Sequence, residues 1–259
     1  MAPRVLLQAG HAWCPNGGGA PGEATWTAAL AEKLAVRLRA AGVEVAVVGA
    51  WLSGQTPLVP PPEVYREWDL FLSLHYDAPV KRGDWWDDSG CFADRATRDP
   101  MGAEADRFID IWEPLYSAGT GIGIDAYRGQ GNPNTDDYYA FRSTPPRTPG
   151  VILEHGCGSP VAVGTYPAGG DSTFLHDNLD TVAALDTQAV LTFLGIDTVT
   201  DEEKRILDTM AALGANADSI IEWINRIGAL EAVLTEGRRV VTVTVRYDDG
   251  TEEKLHATD

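Results

Sequence analysis

The sequence predicts an α/β protein: a twisted, mostly parallel sheet with helices on both faces, followed by a small C-terminal α+β module of two helices and a β-hairpin. Three observations lead there. Residues 4–48 read as strand, helix, strand, the βαβ unit whose right-handed crossover requires parallel pairing. Residues 70–74 and 151–153 are almost unbroken apolar runs, as expected of strands covered on both faces. After residue 197 the pattern changes to two helical periods, then two segments flanking Asp248-Asp249-Gly250, a hairpin turn signal.

Residues 4–8 form the first strand, ended by Ala9-Gly10-His11. Residues 12–22, with Gly17-Gly18-Gly19 and Pro21-Gly22, are a loop. Glu23 follows, and Thr25 can cap a helix in which Ala28, Leu30, Ala31, Leu34, Ala35 and Leu38 recur at helical spacing. Gly42 closes it, and residues 43–48 are the second strand. A proline-rich loop (55–62) and a short helix (63–68) precede the strand that ends in His75, Tyr76 and Asp77. Residues 79–100 have no clear period and read as a long surface loop. Ala105, Phe108, Ile109, Trp112 and Leu115 mark a helix over 102–116, and residues 119–149 are irregular. The strand at 151–153 ends in Glu154, His155 and Gly156. Leu179, Val182, Leu185, Ala189, Val190 and Phe193 mark an amphipathic helix over 178–194.

A boundary at 197–200 divides the chain into residues 1–197 and 198–259. Thr200-Asp201-Glu202-Glu203 is a capping-box start for a helix to Leu213. A second helix carries Ile220, Trp223, Ile227, Leu230 and Leu234, a short heptad stripe. Residues 240–247 and 251–256 are the hairpin strands. The stripe implies a homodimer through this module, or packing against the hairpin or the first domain; binding to a surface outside the chain is the other role such a module can have.

The 259 residues carry a net charge of -18, which argues against a nucleic-acid binder and against an electrostatic grip on anionic membranes. Three cysteines, Cys14, Cys91 and Cys157, make no disulfide framework. No apolar run approaches a membrane span, so membrane insertion is not expected. Near the start, Val5-Leu6-Leu7 is too short for a signal-peptide core.

In open α/β sheets, ligands bind beyond the carboxyl ends of the strands. Three such ends, with the loop after the first, present His11, Glu23, His75 and Glu154. Two imidazoles and a carboxylate match a catalytic zinc site, with three protein ligands and one open position. A second carboxylate would then be the general base and acid. On spacing alone the alternative is a set of satisfied structural polar residues.

The four segments that carry these residues are Gln8-Ala9-Gly10-His11, Gly22-Glu23, Ser73-Leu74-His75-Tyr76-Asp77-Ala78 and Val151-Ile152-Leu153-Glu154-His155-Gly156. With them, residues 4–195 resemble the zinc-dependent N-acetylmuramoyl-L-alanine amidases, the family called amidase type 3. The family's strand ending in Gly-His, its helix-start Glu, its Ser-Ile-His-Ala-Asp-Ala-like strand end and its catalytic Glu occur in that order. The resemblance implies that His11, Glu23 and His75 hold one zinc ion (Zn2+) and that Glu154 is the catalytic carboxylate. It implies bacterial peptidoglycan as substrate, cut between N-acetylmuramic acid and L-alanine. A wall-cutting enzyme made in a host cytoplasm and acting after release resembles a phage endolysin, whose second module usually targets the wall; a bacterial enzyme acting from within a dying or sporulating cell is the alternative. The chain departs from the family pattern in having Gln8-Ala9 for Asp-Pro and Gly49-Ala50-Trp51 for the usual Thr-Arg. The Trp-rich insertion after Ala78 and the Gly131-Asn132-Pro133 loop are also its own.

Asp77 shares a strand face with His75 and can orient a ligand, or cap a turn. Trp85, Trp86, Tyr138 and Tyr139 can line a sugar-binding groove, or pack locally. His155 points away from Glu154 on an extended strand and reads as structural. Two rival functions remain on sequence grounds. One is another zinc amide or peptide hydrolase on this fold; the other is an inactive module that binds peptidoglycan.

Overall fold

The computed structural model describes residues 2–14, 19–53, 56–96, 100–125, 138–164, 167–196, 243–246 and 252–255. Contacts divide the chain into two compact units, Met1–Thr198 and Val199–Asp259. In the first unit a six-stranded sheet comprises β1 (Arg4–Ala9), β2 (Glu44–Gly49), β3 (Leu70–Asp77), β4 (Phe92–Asp94), β5 (Gly150–Ser159) and β6 (Gly169–Gly170). Its helices are α1 (Glu23–Ala40), α2 (Gly102–Thr120), α3 (Tyr139–Ser143), α4 (Ser172–Asp177) and α5 (Leu179–Phe193). In the second unit, Val243–Arg246 and Glu252–Leu255 pair antiparallel, within the segments expected to form the hairpin. The two expected helices and the stripe of Ile220, Trp223, Ile227, Leu230 and Leu234 lie outside the described residues.

The spatial order is β6-β5-β3-β1-β2, with β4 also paired to β5. β2, β1, β3 and β5 run parallel, while β4 and β6 are antiparallel to β5. From β1 the chain passes to β2 on one side, then returns to β3 on the other. The direction of winding therefore switches between β1 and β3, and their carboxyl ends open onto the crevice where such sheets take ligands.

Strand alternation sorts the side chains onto two faces. Val5, Leu7 and Ala9 of β1, Leu70, Leu72 and Leu74 of β3, and Val151 and Leu153 of β5 enter the main core. There they meet Trp26, Leu30, Leu34 and Leu38, an i, i+4 stripe along α1. Phe108 and Trp112 of α2 and Val182, Ala189 and Val190 of α5 close the same layer. Each fully buried side chain of this size contributes about 1.5–3 kcal/mol. On the opposite face, Leu6 and Phe71 join a smaller cluster with Val48, Trp51, Val64, Trp68, Tyr139 and Ala140. Helical segments thus lie on both faces, but unequally. The three long helices share one face, and the other is covered by a 3-10 turn (Pro62–Tyr65), the short α3 and connecting loops.

The sequence reading of residues 79–100 as a surface loop is corrected. Val80–Arg82 and Trp85–Asp87 form a two-stranded ribbon, and β4 joins the sheet with Cys91, Phe92, Ala93 and Asp94 buried. Pairing with a distant strand outweighs weak local patterning here. The α2 helix also extends past its expected end at 116 to Thr120.

Candidate metal centre

His11 lies in the turn just beyond β1. Gly10 donates its N–H to Leu74 O at 2.9 Å, which ties the ends of β1 and β3 together. A Cβ on Gly10 would lie 2.3 Å from His75 Cε1, so this approach needs glycine. His11 then takes a left-handed backbone conformation, φ 56°, which is uncommon outside glycine. Its ring stands edge-on to that of His75, with centroids 5.1 Å apart.

Glu23 opens α1 behind Gly22, which caps the helix with φ 84°. A helix amino terminus favours a carboxylate. Its Oε2 accepts the Ala20 N–H at 2.7 Å. Its Oε1 lies 2.8 Å from His75 Nδ1 and 3.8 Å from His11 Nε2. Glu23 and His75 are both buried, at 2% and 3% exposure. His75 Nε2 faces inward, 2.6 Å from the Tyr138 hydroxyl and 3.0 Å from Ser73 Oγ, and Ser73 donates to Gln8 Oε1 at 2.5 Å.

Ligating atoms of His11, Glu23 and His75 all lie within 4.8 Å of one another. Tetrahedral ligation at about 2.0–2.1 Å places neighbouring donors about 3.3 Å apart. The 2.8 and 3.8 Å separations bracket that value, so the donor set fits zinc. Burial pushes the Glu23 carboxyl up to about 7, His75 down to about 3, and His11 below its ordinary value. Two imidazoles held neutral are in the form that ligates a cation, and a cation would offset the burial of the carboxylate.

Glu154 is the direct register partner of His75 across the β3–β5 pair. Parity places Gln8, Ser73, His75 and Glu154 on the thinly covered face of the sheet. His155, one residue on, points into the helix-covered face. Its Nδ1 is 2.9 Å from His75 O, and its Nε2 is 2.9 Å from Asp186 Oδ2. Asp186 Oδ1 accepts from Trp112 Nε1 at 2.8 Å. Both ring nitrogens of His155 are engaged within the core, and its role is structural.

The remaining candidates are dispersed. Asp77 ends β3 half-buried, close enough for its charge to act on both His75 and Glu23. Trp85 is exposed on the ribbon, with Trp86 half-buried beside it. Trp85 lines an open hollow with Asp87, Ser89, Gly90, Gly123, Ile124 and Asp125, which none of His11, Glu23, His75, Asp77 and Glu154 lines. Tyr138 touches His75, whereas Tyr139 is buried against Trp51, ring centroids 5.3 Å apart. Burial holds the Tyr138 phenol well above its ordinary pKa. Cys14 donates to His11 O and Cys157 to Ala78 O, and all three cysteines are free thiols. Sequence reasoning passed over Gln8, Ser73 and Asp186. The signal for the first two was parity: each is a polar residue inside an apolar strand, on the His75 face.

No protein-family model matches the chain, and no curated protein matches it. Solved structures do. The N-acetylmuramyl-L-alanine amidase of Mycobacterium smegmatis is 18% identical, matched over 75% of this chain and 98% of its own, with a TM-score of 0.55. That of Mycobacterium abscessus is 18% identical over 75% and 100%, with a TM-score of 0.54. An N-acetylmuramoyl-L-alanine amidase of Clostridium difficile is 17% identical over 75% and 97%, with a TM-score of 0.51. The first unit of this chain has the fold of those amidases.

Proposed function

We propose that this protein is a zinc-dependent N-acetylmuramoyl-L-alanine amidase that hydrolyses the amide between N-acetylmuramic acid and L-alanine in bacterial peptidoglycan. The observation that carries the reading is the convergence of His11, Glu23 and His75 at the strand switch, with Glu154 in register opposite His75. The shared fold supports it.

His11, Glu23 and His75 would hold the metal, whose chemistry there is Lewis acidity towards the scissile carbonyl and the attacking water. Glu154 accepts the proton of that water and passes it to the leaving amine of L-alanine, so one carboxylate serves as base and then acid. Gln8 and Ser73 hold the inner side of the His75 ring.

Purified protein should carry about one equivalent of zinc and release free L-alanine amino termini from purified peptidoglycan, with chelation abolishing the release. Wall binding without cleavage would favour the inactive-module reading, and cleavage at a different amide would favour the other hydrolase. The endolysin role is tested by expression with and without a membrane-permeabilising holin. Lysis that needs both supports it; lysis indifferent to the holin removes it.

A further inference from the structure

The two ring nitrogens of His75 face different surroundings. Nδ1 is turned to Glu23 and the His11 side, so it is the atom a metal at this cluster would take. Nε2 is enclosed by Tyr138 and Ser73. A ligating imidazole is neutral, and the hydrogen bond made by its other nitrogen selects the tautomer and orients the ring.

With its proton on Nδ1, donated to the Glu23 carboxylate at 2.8 Å, His75 presents a bare Nε2. The Ser73 hydroxyl proton is committed to Gln8 Oε1, so the Tyr138 O–H, at 2.6 Å, is the donor to Nε2. With a cation on Nδ1, the proton belongs on Nε2, and that nitrogen needs an acceptor. A phenol hydroxyl has one proton to give and lone pairs to accept with. Ser73 Oγ can also accept, at 3.0 Å, but Tyr138 is the nearer hydroxyl, at 2.6 Å, and can serve both forms by turning its O–H, without moving the ring.

Resting on the three-ligand reading above, we propose that Tyr138 is a positioning residue for the metal centre. Its hydroxyl holds His75 and reverses from donor to acceptor when the metal binds. This assigns Tyr138 to the support of a ligand, not to a sugar groove.

The test uses the full chain. Zinc affinity is measured by competition with a chromophoric chelator, and the cobalt-substituted absorption spectrum is recorded, for wild type, Tyr138→Phe and Tyr65→Phe. Tyr65 is an exposed tyrosine at the end of the 3-10 turn. Tyr138→Phe should weaken zinc about 10–100-fold and shift the cobalt bands, while Tyr65→Phe leaves both unchanged. Equal zinc affinity and an unchanged cobalt spectrum in Tyr138→Phe overturn the inference alone. A wild-type chain that binds no zinc overturns the three-ligand reading, and this inference with it. Should Tyr138→Phe fail to fold, proton and nitrogen-15 spectra of zinc-loaded wild type decide: an Nε2–H proton of His75 close to the Tyr138 ring protons and slow to exchange with water is expected, and an Nε2–H with no such contact that exchanges freely overturns the proposal.

Discussion

The same strands present very different chemistry to the two faces of the sheet. Towards α1, α2 and α5 they contribute Val5, Leu7, Leu70, Leu72, Leu74, Val151 and Leu153, all wholly buried. Towards α3 and the loops they contribute Leu6 and Phe71 first, then Gln8, Ser73, His75 and Glu154 near their carboxyl ends. Three long helices can exclude water along a whole face, and there an unpaired polar group would cost several kcal/mol. His155, an imidazole carried by β5 on that face, is bonded on both sides. The thinly covered face instead gathers polar groups into one connected line, Gln8 to Ser73 to His75 to Glu23. One face supplies stability, and the other buries the polar groups of the candidate metal centre.

The largest expected effect breaks the site face alone. Glu154→Gln should lower amide hydrolysis about 10²–10⁴-fold or more while zinc content and unfolding midpoint stay near wild type. A variant that still cleaves peptidoglycan at a wild-type rate would take Glu154 out of the chemistry. On the other face, Asp186→Ala removes the partner of both His155 and Trp112. Breaking such a buried pair costs about 3–5 kcal/mol, read by denaturant titration. A loss below about 1 kcal/mol would mean that His155 finds water or another acceptor there.

A smaller effect should come from Ser73→Ala, which strips one bond each from Gln8 and His75. It is expected to cost about 1–3 kcal/mol of stability and to leave the helix-covered core unaltered. Crystals of the variant showing rearranged α1 packing would contradict the independence of the two faces.

The smallest effect is in pH. Glu23, raised from 4.5 to about 7, contributes stability that is present below pH 4.5 and lost as pH rises towards 7. His75, lowered from 6.5 to about 3, contributes stability that is present above pH 6.5 and lost as pH falls towards 3. The slopes oppose each other between 4.5 and 6.5, which leaves the unfolding midpoint in chelator falling above pH 6.5 and below pH 4.5. Zinc, which takes the ionised carboxylate, should remove the upper fall. A midpoint in chelator that climbs from pH 6.5 to 8 would show that Glu23 is ionised without a cation.

Local pattern determined a good deal. The period of two in β1, β3 and β5 set Gln8, Ser73 and His75 on one face and sent His155 to the other, because successive strand residues alternate whatever they pair with. The four-residue stripe from Trp26 to Leu38 made α1 amphipathic on its own terms. Strand-end His11, His75 and Glu154, with Glu23 at the helix start, were legible as candidates for the same reason. The tertiary structure decided what depends on partners far along the chain. Phe92 to Asp94 became a strand only because the edge of β5 was there to pair with it. The register that sets His75 opposite Glu154, and the close approach at Gly10 that turns His11 over the His75 ring, arise from strands packed side by side. Tyr138 came to His75 from 63 residues away. Periodicity is a property of neighbours in sequence, whereas register and ring contact are set by packing between segments whose separation no local pattern encodes.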